Sequence, residues 1–213
     1  MRLFHAVLPA LLLTGTAGML IAQAPMSPPG KADASLVTAG TYTVDPGHTL
    51  VEWTVDHMGF SPYFGLFGDV TGTLELDPAN LAAARVDVTI PVSKVVTASA
   101  GLTAHLLKAA PEGGRADFFG ASPADAHFVS TGVTANGETA TITGNLTLNG
   151  VTKPVMLDAK FYGAGKAPAM MGGKENVGFT ATGTIKRSDF NVGYGIPMVS
   201  DEVQLKITVA FQK

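Results

Sequence analysis

Residues 139–161 read TATITGNLTLNGVTKPVMLDAKF. Ala140, Ile142, Gly144, Leu146 and Leu148 alternate with Thr139, Thr141, Thr143, Asn145 and Thr147. Successive side chains of a strand point to opposite faces, so this period of two predicts a strand with one apolar and one wet face. Asn149-Gly150 follows. That dipeptide is a strong hairpin signal, because a two-residue turn between strands needs positive φ at both positions. Val155, Leu157, Ala159 and Phe161 then restart the alternation, as the second arm of the hairpin.

The same period extends outward in both directions. Upstream it runs through Val51, Trp53, Val55 and His57, through Val70, Gly72, Leu74 and Leu76, and through Val86, Val88 and Ile90. His127 to Val133 makes a further strand. Downstream lie Val177 to Ile185 and Val203 to Phe211. Eight strands leave no room for alternating helices, which disfavours a parallel α/β sheet. Only residues 98–109 look helical, with Leu102, Leu106 and Ala109 on one side. Gly72, Gly144 and Gly183 fall on the apolar faces, where a missing side chain permits a bend or a close approach. A barrel and a sandwich both fit this pattern, and a barrel has the advantage of removing exposed edges.

The chain has 213 residues, a net charge of −3 and no cysteine. A negative chain is a poor nucleic-acid binder. The lack of cysteine excludes a disulfide scaffold, a thiolate nucleophile and a Cys-ligated metal. Residues 1–24 are read as a signal peptide: Arg2, the apolar run Leu8 to Leu13, and Ala22-Gln23-Ala24 as a small-x-small cleavage site. The chain is therefore expected to be exported, with cleavage near Ala24. Residues 25–40, with Pro25, Pro28 and Pro29, are read as a flexible, extended lead-in. The domain proper spans residues 41–213.

Seven collinear phrases carry a family resemblance. They are Tyr42 to Thr49 (YTVDPGHT), Val55 to Ser61 (VDHMGFS), Gly65 to Gly68 (GLFG), Asp117 to Phe119 (DFF), His127 to Thr131 (HFVST), Gly144 to Pro154 (GNLTLNGVTKP) and Arg187 to Phe190 (RSDF). Together they resemble the YceI-like family of periplasmic polyisoprenoid-binding proteins. The resemblance implies an all-β fold, an extended eight-stranded antiparallel lipocalin-like barrel with one short helix near its mouth. It also implies a long apolar guest, an isoprenoid quinone or polyprenyl lipid, held non-covalently with no covalent cofactor. One departure stands out: Thr103-Ala104 replaces a charged pair usual before His105-Leu106, and residues around Ala109 to Arg115 lengthen the following loop.

Candidate ligand contacts are Val51, Trp53, Val55, His57, Phe67, Phe118, Phe119, Phe128, Ile142, Leu146, Leu157 and Phe179. Alternation places His57 on the inner face, where its imidazole could bond a polar head-group. The enzyme alternative makes His57 a general base on a small hydrophobic substrate in the same cavity. No Gly-x-Ser-x-Gly elbow is present, and Asp45, Asp56, Asp117 and Asp189 read as caps and ion-pair partners. His48, His57, His105 and His127 lack the local spacing of a metal pair, so no metal is expected. Gly59 to Gly65 and Gly163 to Gly173, with Met170 and Met171, are read as gate loops. The expected partner is a long-chain apolar lipid and not a nucleic acid. Transient contact with a membrane or a quinone-using membrane protein, and a homodimer, stay open.

Overall fold

The two-residue period is realised as ten strands: β1 (Gly40–Val44), β2 (Leu50–His57), β3 (Ser61–Phe67), β4 (Thr71–Leu76), β5 (Arg85–Ile90), β6 (Ala126–Asn136), β7 (Thr139–Leu148), β8 (Val151–Lys166), β9 (Glu175–Lys186) and β10 (Glu202–Gln212). One helix, α1 (Ala100–Leu106), lies between β5 and β6. These come from a computed structural model that describes residues 27–213. The signal-peptide reading of residues 1–24 falls outside the described residues.

The ten strands make eight staves. β1 and β2 both pair antiparallel with β10: Val44 lies opposite Phe211, and Leu50 opposite Thr208. They are one stave interrupted at residues 45–49. The break is stitched locally. Asp45 accepts from the Gly47 amide (3.0 Å) and the His48 Nδ1 (2.7 Å), while the buried Thr49 hydroxyl accepts from the Ala210 amide (3.2 Å) where a ladder carbonyl would stand. β3 and β4 are likewise one stave broken at residues 68–70, since β3 pairs with β2 and β4 with β1. From β4 to β10 each strand pairs antiparallel with the next, and β10 returns to β1 and β2. The sheet closes on itself as an eight-stave antiparallel barrel, which removes the edges that an open sheet exposes.

The Asn149-Gly150 turn forms as read, with φ of 50° and 76° joining β7 to β8. Two segments differ from the sequence reading. Residues 59–65, expected as a gate loop, enter β3 at Ser61; alternation fails there because Phe64 and Leu66 are as apolar as Tyr63 and Phe67 on the other face. β8 likewise runs on to Lys166, leaving only residues 167–174 as the connection to β9. The lead-in is also corrected. Residues 27–39 are not a free tether, for Lys31 and Ala164 exchange backbone hydrogen bonds (both 2.9 Å), and a 3-10 turn forms at Ala34–Leu36.

Helix α1 is shorter than the 98–109 expected. Ser99 caps it by accepting from the Leu102 amide (3.2 Å), and Leu106 is its buried residue. It stands at the barrel end that also carries the β2–β3 and β7–β8 turns and the connection from β9 to β10. That connection is organised by Arg187. Its guanidinium, 6% exposed, donates to the carbonyls of Val192, Tyr194, Val199 and Ser200 at 2.8–2.9 Å. Burial lowers its pKa from the ordinary arginine value, and the Asp201 charge opposes that shift.

Candidate functional site

Inward side chains of all eight staves surround a cavity of about 350 Å3, within the roughly 300–1,000 Å3 of small-molecule sites. Strand alternation sends Val51, Phe67, Phe128, Ile142, Leu146, Leu157 and Phe179 into it. Leu74, Val88, Ile207, Val209 and Phe211 join them. The sequence carries the same parity signal for these five residues. Phe161, Phe179 and Phe211 meet edge to face in a row, with centroids 5.9 and 6.4 Å apart.

Five of the expected contacts do not line the cavity. His57 is exposed at the end of β2, beside a backbone bridge to Val199, so its place on the inner face is corrected. The inner face of β2 runs past the barrel body before it reaches His57. Trp53 and Val55 share the parity of Val51 but lie farther along the same hairpin. The Trp53 indole occupies the space above Gly65, its cross-strand partner, where a Cβ would also meet the Val96 carbonyl. Trp53 Nε1 and Tyr63 Oη are buried without a hydrogen-bond partner. Phe118 and Phe119 sit in the connection after α1. Phe118 packs edge-on against His105 and Tyr194, and Phe119 packs at 6.1 Å against Phe67, behind the cavity wall.

The lining is almost wholly hydrocarbon. Thr49, Glu138 and Thr139 are its polar members, and Glu138 is the single charged side chain among the described lining residues. The exposed lining residues Ala34, Pro78, Ala135, Gly137, Glu138 and Thr139 all lie at the end opposite the helix. Room inside comes from alanines, Ala126, Ala140, Ala159 and Ala181 among them. The interior glycines add little room: the Phe128 ring lies on Gly144, and a Cβ on Gly183 would stand 2.7 Å from Leu157 Cδ2.

None of the histidines among the described residues lines the cavity. His48, His105 and His127 each bond an aspartate, Asp45, Asp117 and Asp87, at 2.6–2.7 Å. No three His, Asp or Glu side chains converge among the described residues. Neither does any helix among them have the length and apolarity to cross a membrane.

Comparison with known proteins covers most of the chain. Residues 42–211 match the model of the YceI-like domain. Protein YceI of Escherichia coli O157:H7 is 41% identical over 179 residues, 83% of this chain and 88% of that one. The crystal structure of Burkholderia cenocepacia BcnA superposes with a TM-score of 0.64 at 27% identity, covering 78% of this chain and 98% of that one. A polyisoprenoid-binding domain from Saccharophagus degradans shares the fold at 14% identity, with a TM-score of 0.54 over 80% of this chain and 97% of that one.

Proposed function

Because the chain belongs to the YceI-like family, we propose that it binds a long isoprenoid lipid inside its barrel, in the periplasm, without performing bond chemistry. The observation that carries this reading is the cavity, enclosed by staves and lined by hydrocarbon with one charged residue at its rim. Apolar surface leaving water gains roughly 25 cal/mol per Å2. A prenyl tail needs no directional partner to be held in such a lining. The description of the Saccharophagus degradans neighbour as polyisoprenoid-binding agrees with it.

The head-group has less to bond. It rests at the end opposite the helix, near Glu138 and Thr139. A carboxylate there repels a phosphorylated head, which favours a neutral one such as a quinone over a polyprenyl phosphate. Transport or storage are both compatible roles for such a carrier. His57 has no part in either, since it lies outside the lining, and general-base work needs hydrogen-bond reach of the substrate.

Titration with a prenylated benzoquinone tests the reading. Leu157→Asp puts an unpaired carboxylate into the lining, and a buried unpaired charge costs several kcal/mol. At least a tenfold loss of affinity is expected. Ala159→Phe fills the same space without charge and is expected to lower occupancy too. Unchanged affinity in both folded variants contradicts the cavity as the binding site.

A further inference from the structure

The wall of the cavity includes two residues, Ala34 and Val37, that lie upstream of the family domain at residues 42–211. They belong to the lead-in, whose path is fixed at both ends. On one side it uses the free edge of β8. Pairing with β7 ends at Lys160, opposite Thr139, while β8 continues to Lys166. Lys31 pairs with Ala164 on that uncovered stretch. On the other side the chain enters β1, where Tyr42 Oη donates to the Thr38 carbonyl (2.7 Å), Lys213 Nζ to the Ala39 carbonyl (2.8 Å), and the Thr38 hydroxyl to Glu175 (2.6 Å). β8 and β1 are three staves apart around the barrel, with β9 and β10 between them. A chain that joins them and also contributes to the lining crosses the end of the barrel.

The sequence of β8 accommodates this crossing. A Cβ at Gly163 would stand 3.0 Å from the Lys31 carbonyl oxygen, and one at Gly165 would fall onto the carbonyl of Pro29. Neither glycine takes a positive φ, so neither is needed for its own backbone conformation. Their missing side chains serve the close approach of another backbone. Pro28 and Pro29 stiffen the segment just before its first contact.

We propose that residues 29–37 are a strap that forms part of the ligand site. It covers the cavity end opposite the helix, contacts the apolar guest through Ala34 and Val37, and must leave β8 for the guest to exchange. The proposal builds on the lipid-binding reading above. With the strap docked, the guest sees an added apolar surface and dissociates slowly; with it released, the rim is open.

Two full-length variants test it without altering a lining residue. Gly165→Val collides with the Pro29 carbonyl, and Lys31→Pro removes the amide that donates to Ala164. The probe is cis-parinaric acid, a fluorescent polyene fatty acid that reports entry into any apolar cavity. Hydrogen exchange at the Ala164 amide reports whether the strap is docked. Expected is faster exchange at Ala164 and at least tenfold faster release of the probe in both variants. Release within twofold of the parent protein, with the Ala164 amide exposed, overturns the strap as part of the site. An amide still protected in both variants overturns the docking geometry. Uptake of parinaric acid without uptake of prenyl lipids overturns the proposed ligand while leaving the strap to be judged on release rate. Uptake of neither by any of the three proteins overturns both.

Discussion

At Gly144 the absence of a side chain lets the Phe128 ring lie flat on the neighbouring strand. Gly65 does the same beneath the Trp53 indole. Covering a strand glycine with a cross-strand aromatic shields its backbone and restores packing. Gly144→Val therefore forces Phe128 off its site, and overpacking of this kind costs roughly 1–3 kcal/mol. Urea denaturation is expected to show that loss, and quinone affinity is expected to fall with it, because Phe128 is also cavity wall. His57→Ala is the contrasting case. The residue is exposed and outside the lining, so stability is expected to change by less than about 0.5 kcal/mol and quinone affinity not at all. Parity alone put His57 inside; what parity does not contain is where along a stave the barrel ends. The same gap explains Trp53 and Val55, which face correctly and lie too far along their hairpin.

Among elements, the connection from β9 to β10 depends most on one side chain. Arg187 is buried and surrounded by carbonyl acceptors of its own loop. Removing it leaves those carbonyls without a donor, and hydrogen bonds to charged groups are worth roughly 1.5–3 kcal/mol each. Arg187→Met is expected to destabilise the protein by about 3 kcal/mol or more in urea denaturation. Arg187→Lys is expected to recover part of the loss, because an ammonium keeps the charge but lacks the guanidinium fork. Beside it, Asp201 accepts from the Ser188 amide (2.9 Å) and hydroxyl (2.7 Å), which with the Arg187 charge holds its pKa below the usual aspartate value. A carboxyl whose pKa is lower folded than unfolded stabilises above its unfolded value, near 3.9, and loses that contribution as pH falls through the folded one. Asp201→Asn is therefore expected to flatten the fall in stability below about pH 4, measured as melting temperature against pH. The Arg187 to Phe190 phrase was visible in the sequence, but its partners were not. The sequence offers Asp189 or a neighbouring strand as partners for Arg187, whereas the acceptors are backbone carbonyls, which no sequence pattern marks. β1 and β3 were hidden for a related reason. β1 is five residues long, and β3 is apolar on both faces, so neither shows clean alternation.

On the scale of the whole molecule, the fold was legible because each long stave is half wet. Six of the twelve expected contacts, Val51, Phe128, Ile142, Leu146, Leu157 and Phe179, lie on the alternating runs, and together with Phe67, which does not, they line the cavity. The strap was not legible, since its docking depends on β8 outrunning β7 and on Gly163 and Gly165, which also read as loop residues. A barrel with a hydrocarbon-lined cavity forgoes packing in its own interior, and a guest supplies those contacts. Ligand at 100 times its Kd stabilises by about 2.7 kcal/mol. For a domain of this size that raises the melting temperature by roughly 5–10 °C, and a prenylated benzoquinone is expected to do so in a thermal scan. The claim on which everything else rests is that a prenyl lipid occupies this cavity in the cell. Native mass spectrometry of the protein taken from a bacterial periplasm, followed by organic extraction of the bound material, addresses it most directly. The expected result is one adduct per chain whose extracted lipid shows masses spaced by isoprene units. Protein that arrives empty, and that stays empty when titrated with quinones and polyprenols, contradicts it.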